Sequence, residues 1–316
     1  MPRAVSDAQF DAFVKSVFDW YVEWDPLGAT SLGIHRYDHL MPNGTYAAVQ
    51  QETRKMKAAL RRLERFDAKS LSPGKRIDRG VLRNTLRLLV FSNEELRIWE
   101  SRPSGAEDLG GAVFLLFMRN FAPLPERMAS ITGRLERAPR YLEETKTKVR
   151  RPTRLWAQIG LESTQQIPAF LGIIEAAGKE ALPSGDFARL QDAAAKTRDA
   201  LAEQVRWIRE DLLPQAEDRV GIGAAKFRRL IALRELGLTV DELYALGKRF
   251  LRESRRELER VARWIPNGGT VERAKEAVKG DHPSDWPGAL AYTVQAMEDA
   301  KRFIVEHGLA TLPSNE

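Results

Sequence analysis

Cysteine is missing from this chain of 316 residues. Its absence excludes disulfide bridges, thiolate metal ligands and cysteine nucleophiles within these residues. Long hydrophobic runs are missing as well, since no apolar stretch approaches the roughly 20 residues that a membrane-spanning helix requires. The sequence therefore predicts no membrane partner. Because no apolar signal region precedes the first amphipathic pattern, we expect a cytoplasmic location.

Common catalytic signatures are equally scarce. The sequence contains no H-E-x-x-H motif, no phosphate-binding glycine loop and no G-x-S-x-G turn. Histidine occurs only four times. His282 precedes a helix start and His307 falls in the last turn of a helix, so both are predicted to be structural. Catalysis by this chain alone would need a pair of carboxylates, and no such pair stands out among 44 acidic residues.

Charged residues, in contrast, are plentiful. They make up 30% of the chain, hydrophobic residues make up 43%, and the net charge is +6. This composition is typical of a folded globular protein. The basic excess is spread along helices such as "KRFLRESRRELERVAR", where Arg and Glu recur at spacings that allow i,i+4 pairing. The spread indicates solvated helix faces, and without interleaved aromatic residues it does not predict a nucleic-acid partner.

Apolar residues recur at helical spacing almost throughout the chain. The first helix presents one apolar stripe from Phe10 to Trp24 and is predicted to end before Asp25-Pro26. No stretch alternates as a strand would, and no repeat of fixed period is present. The sequence predicts an all-α, multi-helix array of roughly ten to twelve helices without a substantial sheet. We expect residues 1–316 to form a single all-α domain.

Several local patterns predict particular helix boundaries. Pro139 suits the first position of a helix, whereas Pro168 lies inside a helical pattern and predicts a kink or break just before it. Thr239 and Glu242 have the spacing of a capping box. The wholly apolar run 113–118 predicts a buried helical turn.

The segment "DPLGATSLGIHRYDHLMPNG" carries the densest cluster of candidate functional residues: Asp25, His35, Tyr37, Asp38 and His39. The two histidines are four residues apart with a carboxylate between them, a spacing at which a helix would present both to one zinc ion. The glycine before the pair and the Pro-Asn-Gly after it leave room for only a short helix. A structural loop is therefore favoured, while a zinc site and a wall of a ligand cleft remain open alternatives.

Arg154 and Trp156 form a second candidate site in "PTRLWAQIGLEST". Tryptophan offers a large contact area and arginine binds carboxylates with two hydrogen bonds, so together they would suit the wall of a groove. Core packing of the tryptophan, with a surface partner for the arginine, is the favoured alternative.

Four stretches together carry a family resemblance. They are the Asp25–Gly44 segment, "RLERAPRYLEETKTKVRRPTRLWAQIGLEST", "LTVDELYALGKRFLRESRRELERVA" and the final "FIVEHGLATLPSNE", in that order. This arrangement resembles the bacterial and archaeal domain of unknown function 885 family over essentially the whole chain. The resemblance implies a mostly helical, zincin-like metallopeptidase, whose H-E-x-x-P-G-H helix lies in the C-terminal half. There two histidines bind zinc and the glutamate activates water.

The chain departs from that pattern because H-E-x-x-P-G-H does not occur in it. No catalytic residue and no metal ligand can be assigned by the resemblance. We expect an N-terminal half that is inactive alone, with zinc and catalysis supplied by a C-terminal half or a second chain, and with a peptide-like substrate in the complete protein. The alternative is a standalone helical binding or scaffold protein. Apolar surface left exposed by the missing half would favour a homodimer or a partner chain.

Overall fold

The computed structural model describes residues 7–313. Within them the chain forms twelve α-helices and no strand, which confirms the predicted all-α array. Thr153 and Glu217 form an isolated parallel bridge. No helix among the described residues combines the length and the apolar character that crossing a membrane requires.

Contacts divide the chain into two compact units at Gly237 and Leu238. The first unit contains nine of the described helices: α1 (Asp7–Trp24), α2 (Pro26–Ser31), α3 (Tyr46–Glu64), α4 (Pro73–Phe91), α5 (Gly105–Met118), α6 (Leu124–Lys146), α7 (Arg154–Ala181), α8 (Ser184–Trp207) and α9 (Ala224–Leu233). The second unit contains α10 (Val240–Ala262), α11 (Val271–Gly280) and α12 (Trp286–Glu306).

The largest core of the first unit lies among α5, α6, α7 and α8. Helix α6 packs against both α5 and α8, and α7 packs against α8. Leu109, Ile131, Leu135 and Ile174 are fully buried there, and each such side chain contributes about 1.5–3 kcal/mol to folding. This core fixes the N-terminal end of α5 and the C-terminal end of α6, which together carry much of the polar cluster described below.

A smaller core joins α1 to α3 and α4. Phe66 stacks on Phe13 at a centroid distance of 5.3 Å and meets Phe10 edge-on at 5.5 Å. Met56 and Leu63 complete the buried cluster from α3. The apolar stripe predicted for the first helix therefore faces α3 and α4.

Helix α6 continues through Pro139, so the predicted helix start at this residue is wrong. Proline has no N–H to donate to the carbonyl four residues earlier. That carbonyl belongs to Leu135, and the hydroxyl oxygen of Thr197 in α8 lies 3.1 Å from it and 2.8 Å from the carbonyl of Ala193. A neighbouring helix thus offers a donor to the carbonyl that Pro139 leaves without one, and the helix need not end.

Two further predictions concern Pro168 in α7 and the apolar run 113–118 in α5. Helix α7 also runs unbroken past Pro168, so no break occurs there. The apolar run 113–118 is helical, but Phe114 and Met118 are 50% and 59% exposed, so burial on all sides is wrong. This run forms the last turns of α5, which buries only one face.

The second unit begins with the predicted capping box. The Thr239 hydroxyl accepts from the Glu242 N–H, and the Glu242 carboxylate accepts from the Thr239 N–H, which confirms that prediction. Helix α12 has no buried residue. Large apolar side chains remain exposed on both long helices of this unit, among them Tyr244, Phe250, Leu251, Leu258, Leu290, Tyr292, Val294, Met297, Phe303 and Val305.

Candidate functional site

The histidine-containing segment forms a short 3₁₀ turn, His35–Tyr37, after α2. The His35 ring stacks on Phe121 with centroids 3.6 Å apart and planes within 4°. Its Nδ1 lies 2.7 Å from a carboxylate oxygen of Asp38. The other oxygen of Asp38, which is only 2% exposed, accepts a hydrogen bond from the Thr30 hydroxyl. Both groups are thus engaged with neighbouring side chains.

Beneath this turn lies a completely buried cation, Arg134 of α6. Its guanidinium donates to the Ala112 carbonyl at 2.8 Å and to the Thr30 hydroxyl oxygen, and it lies 3.9 Å from the Asp38 carboxylate. Burial lowers the pKa of Arg134 to about 10, against the opposing effect of Asp38 and Asp25. Asp38 therefore balances an internal charge, and the loop acts as a cover for it.

His39 and Tyr37 take separate positions. The backbone of His39 passes so close to α6 that a Cβ on Gly133 would lie 2.9 Å from the His39 Cβ, and His39 as a whole is exposed. The Tyr37 ring lies under the Arg36 guanidinium at 4.7 Å. Among residues 7–313 no group of three histidine, aspartate or glutamate side chains is arranged to hold a metal ion.

A second group of polar side chains converges where α5 begins and α6 ends. The Asp108 carboxylate accepts from the Tyr141 hydroxyl at 2.9 Å and from the Ser104 hydroxyl at 3.0 Å. Burial raises the pKa of Asp108 despite these hydrogen bonds. Burial, reinforced by the charge of Asp108, raises the pKa of Tyr141 well above its ordinary value of 10.0.

Helix α3 and the junction between α1 and α2 add acidic groups to this polar cluster. The Glu52 carboxylate accepts from the Asn93 amide at 3.0 Å, and burial raises the pKa of Glu52. Asp25 caps α2 by accepting from the Gly28 N–H at 3.0 Å, and the Tyr21 hydroxyl lies 3.4 Å from its other oxygen. Burial raises the pKa of Tyr21, and the charges of Asp25 and Glu52 act in the same direction.

Lys148, just after α6, is the basic member of the polar cluster. Burial lowers the pKa of Lys148, and the charges of Asp108 and Glu52 oppose that shift. Carboxylic acids with a raised pKa beside an amine with a lowered pKa are the groups used for proton transfer near neutral pH. Ion-pair networks that only support the fold show the same pKa shifts. The shifts alone therefore do not assign a role in proton transfer to the polar cluster.

The second sequence candidate divides into two roles. The Arg154 guanidinium binds Asp218 at 2.7 Å and the carbonyls of Leu213 and Ala216 at 3.2 and 3.0 Å. Arg154 therefore holds the segment that follows α8. Trp156 lines an open cleft of about 300 Å³. The Arg102 guanidinium lies 5.1 Å from the centre of the Trp156 ring.

Residues 26–316 match the family described as bacterial protein of unknown function (DUF885). The chain belongs to the DUF885 family. The match runs over nearly the whole chain, so the predicted resemblance is confirmed. Comparison with curated proteins found no match.

A solved structure has the same fold as this DUF885 chain. It is a protein of unknown function from Shewanella oneidensis, described as a candidate lipoprotein, with 18% sequence identity and a TM-score of 0.68. The similarity covers 97% of this chain and 58% of that protein. The DUF885 chain therefore spans little more than half the length of the structure it matches.

Sequence reasoning found only one member of the polar cluster in this DUF885 chain, Asp25. Glu52 lies in α3, Asp108 in α5 and Tyr141 in α6, and Lys148 follows α6 directly. No local spacing joins them, because the packing of α3, α5 and α6 brings them together. A half-buried carboxylate beside a half-buried lysine is visible only in the fold.

Proposed function

We propose that this DUF885 chain is the helical portion of a zinc-dependent peptidase acting on a peptide-like substrate. Its zinc and its catalytic groups would come from a further segment or a second chain that carries H-E-x-x-P-G-H. The described residues of this chain do not fit a zinc site: His35 is engaged with Asp38, and no group of three potential ligands is present among residues 7–313. The chain's own contribution is the helical wall that holds substrate and partner.

The observation that carries this proposal is the apolar face of α12. Leu290, Val294 and Met297 follow one another at helical spacing, and each is more than half exposed. A helix of this pattern normally packs its apolar stripe against another element, and apolar patches of this kind mark sites of protein association. The proposed occupant is the zinc-bearing segment. About 42% of the Shewanella protein (100 − 58) has no counterpart in this chain, which supports a partner of substantial size.

A metal and activity measurement tests the proposal. The purified chain is expected to hold no stoichiometric zinc by elemental analysis and to cleave no peptide library. A longer protein, or a mixture with a segment carrying H-E-x-x-P-G-H, is expected to gain both. The coding sequence that follows the last codon shows directly whether such a segment exists in frame.

Two outcomes would contradict the proposal. One is stoichiometric zinc in this chain alone that is lost in the His35→Ala and His39→Ala variants, because the zinc site would then lie in the histidine segment. The other is a motif-bearing segment that neither binds the chain nor confers cleavage. That second result would favour the alternative, a standalone helical binding or scaffold protein.

A further inference from the structure

An irregular segment after α4 builds a cleft that the proposed function does not use. Ser92–Leu96 forms a π-helical turn, Arg97 has a φ of +53°, and Ile98–Glu100 forms a 3₁₀ turn. We call Ser92–Glu100 the strap. A left-handed backbone is uncommon for residues other than glycine, and π-helical turns occur frequently at functional sites.

The strap places the ring of Trp99 beside a second aromatic ring of the cleft, which α3 contributes. Its turn back toward α3 lets the indole N–H of Trp99 donate to the Asn93 carbonyl at 3.0 Å. The Trp99 ring then lies 5.2 Å from the ring of Tyr46, the first residue of α3. The Arg97 guanidinium lies 5.1 Å from the Trp99 ring centre, and that of Arg150 lies 4.2 Å from the Tyr46 ring centre.

The remaining lining of the cleft, contributed by both α3 and the strap, is basic. Lys57 pairs with Glu94 of the strap at 2.8 Å, and Arg97 pairs with Glu100 at 3.0 Å. Arg54 is exposed and has no hydrogen-bond or ion-pair partner among the residues that the structure describes. The cleft has a volume of about 450 Å³, within the usual range of ligand sites. Its three cations and one carboxylate leave a net charge of +2.

We propose that this cleft binds an acidic peptide segment. A ligand carboxylate would pair with Arg54, whose guanidinium is free to form two parallel hydrogen bonds, and an apolar side chain of the ligand would pack on Tyr46 and Trp99. One face of each ring already carries a guanidinium, which reduces the surface on which a nucleobase would stack. Glu94 also lines the cleft, and its negative charge repels a ligand phosphate more strongly than a ligand carboxylate. These features favour a peptide over a nucleotide.

Fluorescence anisotropy with a defined probe tests this site. The probe is a fluorescein-labelled hexapeptide, Glu-Phe-Glu-Phe-Glu-Gly, titrated with the full chain in the presence of EDTA. Arg54→Gln is expected to weaken binding about tenfold, the loss of one charge-assisted pair. Trp99→Leu is expected to weaken it by a similar factor. The matched control is Arg61→Gln, because Arg61 is exposed on the same face of α3 two turns further along and does not line the cleft.

Each other outcome overturns the proposal. Equal losses for Arg54→Gln and Arg61→Gln would show unspecific attraction to a basic helix. Equal binding of a probe with glutamine in place of glutamate would exclude the carboxylate contact. Displacement of the probe by adenosine monophosphate, with the same sensitivity to Arg54→Gln, would assign the cleft to a nucleotide. No binding at millimolar protein would show that the cleft takes no acidic peptide. Because EDTA is present and no zinc-bearing segment is added, the result is independent of the proposed peptidase activity.

Discussion

The segment that contains His35 and His39 has the spacing of a zinc site, yet it serves the fold. Its Asp38 balances the buried charge of Arg134. The sequence indicates that the segment around Asp38 is unusual. The partner of Asp38, Arg134, lies on α6, and no local sequence pattern predicts this contact. Arg134 is an arginine in an ordinary helix until packing buries it completely. The preference for a structural loop rested on the short turn, whereas the reason for that loop is the buried charge it covers.

The buried pair gives a prediction about stability. Arg134→Met keeps the length of the side chain but leaves the Asp38 carboxylate buried without its cation, so the free energy of unfolding is expected to fall by about 3–5 kcal/mol. Urea denaturation followed by circular dichroism measures this. The exposed control, Arg61→Met, is expected to stay within about 0.5 kcal/mol of the original protein. A loss below 1 kcal/mol in Arg134→Met would show that the pair is not structurally required.

Asp108 gives a prediction about pH. Because burial raises the pKa of Asp108 above its ordinary value of 3.8, the folded state holds this proton more tightly than the unfolded state. The resulting stabilisation is present at low pH and is lost as the pH rises through the folded pKa. Asp108→Asn removes this dependence and keeps an acceptor for Tyr141 and Ser104.

The expected result is a pH-dependent difference in the free energy of unfolding. Asp108→Asn and the original protein are expected to differ least below a pH of about 4, and the variant is expected to gain relative stability toward pH 7. Chemical denaturation at several pH values measures the difference. The opposite trend would mean that Lys148 stabilises the Asp108 carboxylate by more than its burial costs.

At the scale of elements, Pro139 shows where sequence rules for helix boundaries fail. A proline predicts a helix start because its missing N–H costs nothing in the first turn. In α6 the Leu135 carbonyl lacks the N–H of Pro139 as a donor, but the Thr197 hydroxyl of α8 lies within hydrogen-bond distance of it. That contact is long-range, so no window of sequence around Pro139 contains it. The capping box of Thr239 and Glu242 is confirmed because all its atoms lie within four residues.

This contact can be tested by a double-mutant cycle. Thr197→Val removes the hydroxyl near the Leu135 carbonyl and is expected to cost about 1–3 kcal/mol of stability. In a Pro139→Ala background a backbone N–H again reaches that carbonyl, so the same Thr197→Val change is expected to cost less. Urea denaturation of the four proteins gives the coupling energy. Identical costs in both backgrounds would show that Thr197 does not compensate for Pro139.

At the scale of the whole molecule, helical content was predictable because helical periodicity is local. The polar cluster was not, since Glu52, Asp108 and Lys148 meet only through tertiary packing. The apolar faces of the second unit were predictable only in part. Their stripes are visible in sequence as ordinary core positions, but only the structure shows that Leu290 and Val294 remain exposed.

Those faces predict self-association of the isolated chain. In the absence of a zinc-bearing partner, apolar stripes on α12 are expected to pair with those of a second copy, giving a dimer in sedimentation velocity. Leu290→Lys combined with Val294→Lys is expected to shift the protein to monomer. Gln295→Lys, on a different face of α12, serves as the control and is expected to leave the dimer intact. A chain that is monomeric at high concentration would count against the half-protein hypothesis.

The π-helical turn at Ser92–Leu96 makes the cleft depend on chain length as well as on residue type. A π-helical turn closes its hydrogen bond one residue later than an α-helical turn, so it behaves as a single-residue insertion in α4. Deleting one residue there would let the α-helix continue and rotate everything after it by about 100°. Trp99 would then no longer reach the Asn93 carbonyl. A relative with a one-residue gap at this point is therefore expected to lack the cleft, even where Tyr46 and Arg54 have counterparts.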